Sequence, residues 1–219
     1  MSSPSIRFDV LTLFPALFEG FLAESILSRA IERGLVAVNR WDIRDWAEGK
    51  HRQVDDRPFG GGPGMVLMAP PVVTAVEAVR ASAETPGRLI VLTPQGERLE
   101  QAKVEELSRE SRIILLCGRY EGFDERIFET LRPESLSVGD YVLSGGEVAA
   151  MGVIDAVMRL VPGVLGDAGS ALDESFGPDG GLEYPQYTRP RAFRGLEIPE
   201  ILSSGDHAAI ARWRREHRR

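Results

Sequence analysis

Apolar residues along the first three quarters of the chain form short continuous runs, each followed by a stretch with helical spacing. The runs at residues 6–14, 88–93 and 112–118 are apolar on both faces. This pattern is typical of buried strands in a parallel sheet. Residues 36–43 and 136–143 predict two further strands of the same kind.

The intervening segments predict helices with apolar positions three and four residues apart. They cover residues 15–33, 71–83, 99–110, 124–132 and 147–161. Gly34 is placed to end the first of them. Strands that alternate with helices predict an α/β domain whose parallel sheet carries helices on both faces.

After residue 162 the chain becomes rich in Gly and Pro and loses its periodicity, which is typical of a linker, and a small helical piece closes it.

Composition narrows the function classes. A single cysteine, Cys117, excludes a disulfide within the chain and favours a cytoplasmic location. No apolar run approaches the roughly 20 residues of a membrane span, and no signal peptide is visible. The net charge of −7 argues against nonspecific coating of nucleic acid, yet residues 212–219, RWRREHRR, hold five arginines. A local basic segment of this kind can bind a polyanion.

Three predicted strand ends carry small or turn-forming residues: LTPQGE (92–97), CGRYEG (117–122) and VGDYVLSGGE (138–147). Ligands of open parallel sheets bind outside the carboxyl ends of the strands. We therefore predict one pocket lined by main-chain groups. No phosphate-binding glycine motif follows a strand, so a heterocycle without phosphates fits best. Ser144 and Glu147 also form a capping box, which predicts that they cap the helix that follows.

Eight segments, in order along nearly the whole chain, resemble the bacterial tRNA (guanine-N1-)-methyltransferases that modify guanosine 37. They are DVLTLFP, VDDRPFGGGPGMV, LTPQG, CGRYEGFDERI, VGDYVLSGGE, PGVLG, YTRP and SGDHAAIARWRR. The resemblance implies a SPOUT-class domain with a deep C-terminal trefoil knot, which no hydrophobic pattern reveals. It also implies a homodimer with shared active sites, and S-adenosylmethionine as methyl donor.

The family's donor contacts fall on the three strand ends and on one residue nearer the C-terminus. By resemblance they are Leu92, Thr93, Pro94, Gly118, Tyr120, Glu121, Val138, Gly139, Asp140, Tyr141, Val142, Leu143, Gly145, Gly146 and Glu183. Glu183 matches an acidic residue that reaches the donor across the dimer.

N1 of guanine carries a proton, so methylation needs a general base, and charge that develops on O6 needs a cation. The resemblance assigns the base to Glu174, where the family commonly has aspartate, with Asp173 as the alternative. It assigns the cation to Arg159, which the sequence alone would equally pair with Asp155 four residues earlier. The family's activity is associated with Mg²⁺, but the sequence identifies no metal site.

The resemblance divides the chain into a knotted domain at 1–161, a linker with the catalytic carboxylate at 162–186, and a small helical tRNA-binding domain at 187–219. Many relatives continue beyond this point, so the last domain is expected to be naturally short or truncated. Two rival functions stay open. One is a knotted enzyme that methylates a ribose 2′-hydroxyl, and the other is a noncatalytic RNA-binding module.

Overall fold

A five-stranded parallel sheet organises the larger part of the chain. The strands in chain order are β1 (Ile6–Thr12), β2 (Val36–Asp42), β3 (Asp55–Asp56), β4 (Val66–Leu67), β5 (Arg88–Arg98), β6 (Arg112–Cys117) and β7 (Glu134–Ser137). The sheet order is β2-β1-β6-β5-β7, and β3 and β4 form a separate antiparallel pair. The structure is a computed structural model that describes residues 4–166, 174–176 and 181–219. Contacts divide the chain into two units, 1–166 and 167–219.

Helices cover both faces of the sheet, as the alternating pattern predicts. They are α1 (Glu19–Ala23), α2 (Ser25–Glu32), α3 (Ala69–Ala81), α4 (Gln101–Leu107), α5 (Glu125–Leu131) and α6 (Glu147–Met158). One apolar cluster joins α2, α4 and α6 to the sheet, and a second joins α3 and α5 to the opposite face. Alternate residues of β6 enter the two clusters, since successive strand side chains point to opposite faces. The predicted α/β class is confirmed.

The helix predicted over residues 15–33 is wrong as a single element. A 3-10 turn at Pro15–Phe18 and helix α1 come first, and the chain then breaks at Glu24, which is extended. Helix α2 begins after this break and buries Leu27 and Ala30. Packing of this short helix on the sheet therefore overrides the continuous helical spacing of the sequence.

The strand predicted over residues 136–143 is also wrong at its end. Strand β7 stops at Ser137, and residues beyond it leave the sheet. The apolar residues that suggested a longer strand contribute to a cavity instead, because a cavity wall and a buried strand both need apolar side chains.

The pairing of strand β5 with β7 is interrupted. Leu136 is the partner of Leu92 and, after an irregularity, of Glu97 as well. The residues between Leu92 and Glu97 leave the regular pairing. At Gly96 the chain crosses the β7 backbone at close range, since a Cβ there would lie 2.3 Å from the backbone N of Leu136. Only a residue without a side chain allows the two backbones to approach this closely.

The second unit contains the short strands β8 (Ala192–Phe193) and β9 (Leu196–Glu197), a 3-10 turn at Glu200–Ser203, and helix α7 (His207–Glu216). Asp206 caps α7 by accepting a hydrogen bond from the Ala209 N–H at 3.0 Å. The Trp213 ring stacks on His217 with centroids 4.2 Å apart. Within the described ranges, no helix is long and apolar enough to cross a membrane.

Candidate active site

The three strand ends named from the sequence surround one cavity of about 370 Å³. The cavity lies at the interruption of β5 after Leu92, at the carboxyl end of β6 and beside the segment that follows β7. Its lining includes the predicted residues Leu92, Thr93, Pro94, Gly118, Tyr120, Glu121, Val138, Gly139, Tyr141, Val142, Leu143, Gly145 and Gly146. The tertiary structure therefore brings together residues as far apart in the sequence as Leu92 and Gly146.

Asp140 and Glu183 do not belong to that lining. The Asp140 side chain is 88% exposed, and its carboxylate lies 3.5 Å from Arg98. Glu183 belongs to the second unit. Among the described residues of the first unit, Asp140 is the predicted donor contact that the cavity does not include.

Close backbone contact joins two of the cavity loops. The Gly146 N–H donates to the Gly118 carbonyl at 2.9 Å. A Cβ on Gly146 would lie 2.8 Å from the Cα of Cys117. Any side chain at position 146 would push the loops apart, which explains the glycine at the end of this apolar segment.

The lining is mostly apolar side chains, aromatic rings and main-chain groups. Arg119, Glu121 and Glu125 are its charged members. Arg119 is already engaged, since its Nε lies 3.0 Å from Oε2 of Glu147. The rings of Tyr120 and Tyr141 are about half exposed. Such a lining suits a flat, phosphate-free ligand that is recognised by hydrogen bonds along its edge.

The predicted capping box is wrong. Helix α6 begins after Gly146, and no side chain caps it. Glu147 is instead 1% exposed, and its Oε1 accepts a hydrogen bond from Thr12 Oγ1 at 2.7 Å. A carboxylate this deeply buried must be paired, so Glu147 bonds to β1 and Arg119 rather than to its own helix.

Cys117 lies at the end of β6, beneath the cavity loops, and is fully buried. Burial, reinforced by the negative charge of Glu147, raises the pKa of the thiol well above its usual value. The thiol is therefore protonated and unreactive at neutral pH. In the described part of the chain, no group of three or more His, Cys, Asp or Glu residues could hold a metal ion.

Arg159 is the C-cap of α6, whereas Gly146 and Ala149 near the start of this helix line the cavity. A helix rises about 1.5 Å per residue, so Arg159 lies about 15 Å along the axis from Ala149, the lining residue of α6 nearest to it. Its side chain is too short to cover that distance. Arg159 therefore does not belong to the cavity of its own chain.

The second unit brings Glu183 next to the segment of Glu174. The Glu183 N–H donates to Ser175 Oγ at 2.9 Å, and Arg218 donates to the main-chain carbonyl of Glu174 at 3.2 Å. Gln186 Nε2 donates to the Glu183 carboxylate at 2.7 Å. Asp173, the alternative base, lies outside the described residues.

A family model described as tRNA (Guanine-1)-methyltransferase TrmD matches residues 6–219. The chain belongs to this family. The family assignment made from the sequence is thus confirmed.

Known relatives agree. A tRNA (guanine-N(1)-)-methyltransferase of Rhodopirellula baltica is 60% identical over 98% of this chain and 89% of its own length. The enzyme of the same name from Geobacillus kaustophilus is 54% identical over 95% of this chain and 85% of its own length. The enzyme of the same name from Thermomicrobium roseum is 56% identical over 96% of this chain and 78% of its own length.

Some lining residues of this TrmD-family cavity lie outside the three predicted loops. They are Phe123, Glu125, Phe128, Leu136, Ser137 and Ala149. The lining residues Gln95, Arg119, Gly122 and Ser144 lie within those loops but were not named as donor contacts. Arg119 lies inside the CGRYEG segment, so a search for cations at strand ends would have found it. Phe128 lies on α5, and no sequence signal connects it to the loops.

Proposed function

We propose that this chain transfers a methyl group from S-adenosylmethionine to N1 of guanosine 37 in tRNA. One observation carries the proposal. A cavity suited to a phosphate-free nucleoside lies at three strand ends, in a chain that belongs to the tRNA (guanine-1)-methyltransferase family. Because the proposed substrate is tRNA, we also propose that the enzyme is cytoplasmic.

The cavity loops bind and orient the donor in this proposal. Main-chain groups of residues 92–95, 117–122 and 138–146 read the edge of the adenine, and the apolar lining takes its faces. The donor supplies an electrophilic methyl group.

Glu174 is the proposed general base, with Asp173 as the alternative. A carboxylate that removes the N1 proton as the methyl group arrives makes the ring nitrogen nucleophilic. Hydrogen bonding of the Glu174 carbonyl to Arg218, and of Ser175 to Glu183, supports a defined backbone at this point of the chain. Glu183 is the proposed contact to the donor's polar end.

Arg159 is proposed to stabilise negative charge on guanine O6. Because it lies about 15 Å along α6 from the cavity of its own chain, it would act in the cavity of a second copy. The proposed enzyme is therefore a homodimer whose active sites are shared between subunits.

Exposed apolar side chains support a homodimer. Leu17 is 51% exposed and Val148 is 63% exposed. The 3-10 turn that carries Leu17 packs against α6, where Val148 lies. Val142, at 86% exposure, precedes the same helix. Exposed apolar side chains on neighbouring elements are typical of protein–protein interaction sites.

The crossing of β5 over β7 supports the proposed trefoil knot. The chain leaves β7 next to the irregular part of β5 and runs past the cavity as residues 138–146. It then enters α6, which packs on β1 and β6 rather than beside β7. In the proposal, residues 1–161 form the knotted domain, 162–186 carry the base, and 187–219 bind tRNA phosphates through the arginines of α7.

Methylation of defined transcripts tests the proposal. The purified chain is incubated with labelled S-adenosylmethionine and a tRNA transcript that has G36 and G37, beside a matched transcript with A37. We expect label only in the first, and nuclease digestion with mass spectrometry should place the methyl group on guanine N1. A methyl group on a ribose would favour the rival knotted enzyme, and calorimetry that shows no binding of S-adenosylmethionine would favour an RNA-binding module.

A further inference from the structure

Glu147 is a buried carboxylate that helix capping does not explain. It begins α6 with 1% exposure, and its two partners come from elsewhere in the chain. Thr12, at the end of β1, donates to Oε1 at 2.7 Å. The Nε of Arg119 lies 3.0 Å from Oε2, an ion pair without the alignment of a hydrogen bond.

Arg119 is held in the cavity wall by further contacts. Its guanidinium donates to the Ser144 carbonyl at 3.2 Å and lies 4.6 Å above the centre of the Phe14 ring. The Phe14 N–H in turn donates to Thr12 Oγ1 at 2.9 Å. These contacts link Thr12, Glu147, Arg119 and Phe14 into a closed network of side chains, which we call the circuit.

The circuit connects two of the three cavity loops. Arg119 and Gly145 form an isolated antiparallel bridge. A Cβ on Gly145 would lie 2.2 Å from Arg119 Nε and 2.6 Å from Glu147 Oε2. The backbone of the loop at 138–146 therefore packs directly on the ion pair, and movement of Arg119 would move both loops.

We propose that Glu147 is a positioning residue for methyl transfer. Through Arg119 it sets the separation of the loops at 117–122 and 138–146, and so the shape of the donor cavity. Glu147 itself touches neither donor nor acceptor. This inference rests on the proposed function, since it assumes that the cavity binds S-adenosylmethionine.

The charge of Glu147 is removed at constant shape in Glu147→Gln. The amide cannot balance Arg119, so the loops lose their fixed separation. We expect the dissociation constant and the KM for S-adenosylmethionine to rise about tenfold or more, because displacements near 1 Å have large effects on positioned groups. The KM for tRNA should change less than twofold. Calorimetry and steady-state kinetics measure these constants.

A matched control separates positioning from general loss of stability. Asp9 is also a fully buried carboxylate on β1, and it pairs with Arg112 at 2.7 Å. It does not line the cavity. Asp9→Asn should lower the melting temperature as Glu147→Gln does, yet leave the donor dissociation constant unchanged. Equal loss of donor affinity in both variants would overturn the proposal.

Thr12 provides a second test in case Glu147→Gln does not fold. Thr12→Val removes the hydroxyl group at constant shape, and Thr12→Ser keeps it. We expect weaker donor binding in the first variant and recovery in the second. Unchanged donor affinity in Thr12→Val would refute the circuit. A wild-type chain that binds no S-adenosylmethionine would refute the proposed function together with this inference, whereas normal donor binding by Glu147→Gln would refute the inference alone.

Discussion

At the scale of single residues, the surroundings of each carboxylate decide what it does. Asp9 is fully buried and accepts hydrogen bonds from Asn39, Trp41 and Arg112. Glu147 is equally buried, but its partners border the cavity. Glu174 is partly exposed in the second unit. Residue type is nearly constant here, and the environment makes one group structural, one positioning and one the proposed base.

Replacement of the proposed base tests its role directly. Glu174→Gln keeps the size of the side chain but cannot accept the N1 proton. We expect kcat to fall about 10²-fold to 10⁴-fold, the range for general-base catalysis, with donor affinity unchanged. Single-turnover kinetics and calorimetry measure the two effects. Glu200→Gln, an exposed substitution in the same unit, is the control, and wild-type activity in Glu174→Gln would transfer the role to Asp173 or elsewhere.

The pH dependence of stability tests the environment of Asp9. Burial opposes its ionisation, but hydrogen bonds from Arg7, Trp41, Asn39 and Arg112 outweigh burial and lower the pKa. Ionised Asp9 therefore stabilises the fold above the unfolded-state pKa of about 3.9, and this contribution disappears as pH falls through the lower folded-state value.

Asp9→Asn should lower the free energy of unfolding by about 3 kcal/mol near pH 6, since it breaks a buried pair. The difference from wild type should shrink below about pH 4. Urea denaturation at pH 6 and pH 3 measures it. A difference that stays constant with pH would contradict the assigned environment.

At the scale of elements, the crossing of β5 over β7 is the least ordinary feature. It depends on Gly96, whose backbone lies against Ser135 and Leu136. Irregular pairing of this kind shapes the cavity, because Leu92, Thr93, Pro94 and Gln95 occupy the crossing and also line the cavity.

Gly96→Ala would place a methyl group 2.3 Å from the backbone N of Leu136. Because neither backbone can yield locally, we expect a loss of about 2 kcal/mol or more in unfolding free energy and weaker donor binding. Gly20→Ala is the control, since a Cβ there meets nothing within 4 Å in helix α1. It should stabilise the chain by about 0.5–1 kcal/mol. Equal stability of both variants in urea would contradict the close crossing.

At the scale of the whole molecule, the separation of Arg159 from its own cavity predicts shared active sites. An Arg159→Ala chain keeps its donor cavity, and a Gly146→Ala chain keeps Arg159. If equal amounts of the two variants associate at random, half of the dimers are heterodimers, and each heterodimer has one complete site. We expect about a quarter of wild-type activity from the mixture, and almost none from either variant alone. If the two variants are unfolded and refolded together and activity does not recover, Arg159 and the donor act in the same chain.

Prediction from the sequence succeeded for features that local residue patterns determine. It was wrong for features that tertiary packing determines. The buried strands β1, β5 and β6 are visible as continuous apolar runs, and most of the cavity lining follows from their ends together with the family resemblance. The break at Glu24, the early end of β7 and the role of Glu147 are not visible. Helical spacing, apolar runs and a capping box are each compatible with more than one tertiary environment.

The sequence by itself determined the α/β class, the family and the three loops that meet at one cavity. These follow from periodicity and from motifs, which are properties of short segments. Only the tertiary structure decided that β5 crosses β7, that Glu147 joins Arg119 to Thr12, and that Arg159 lies a helix length from the cavity. Such relations depend on distances between segments far apart in the chain, and no local pattern contains them.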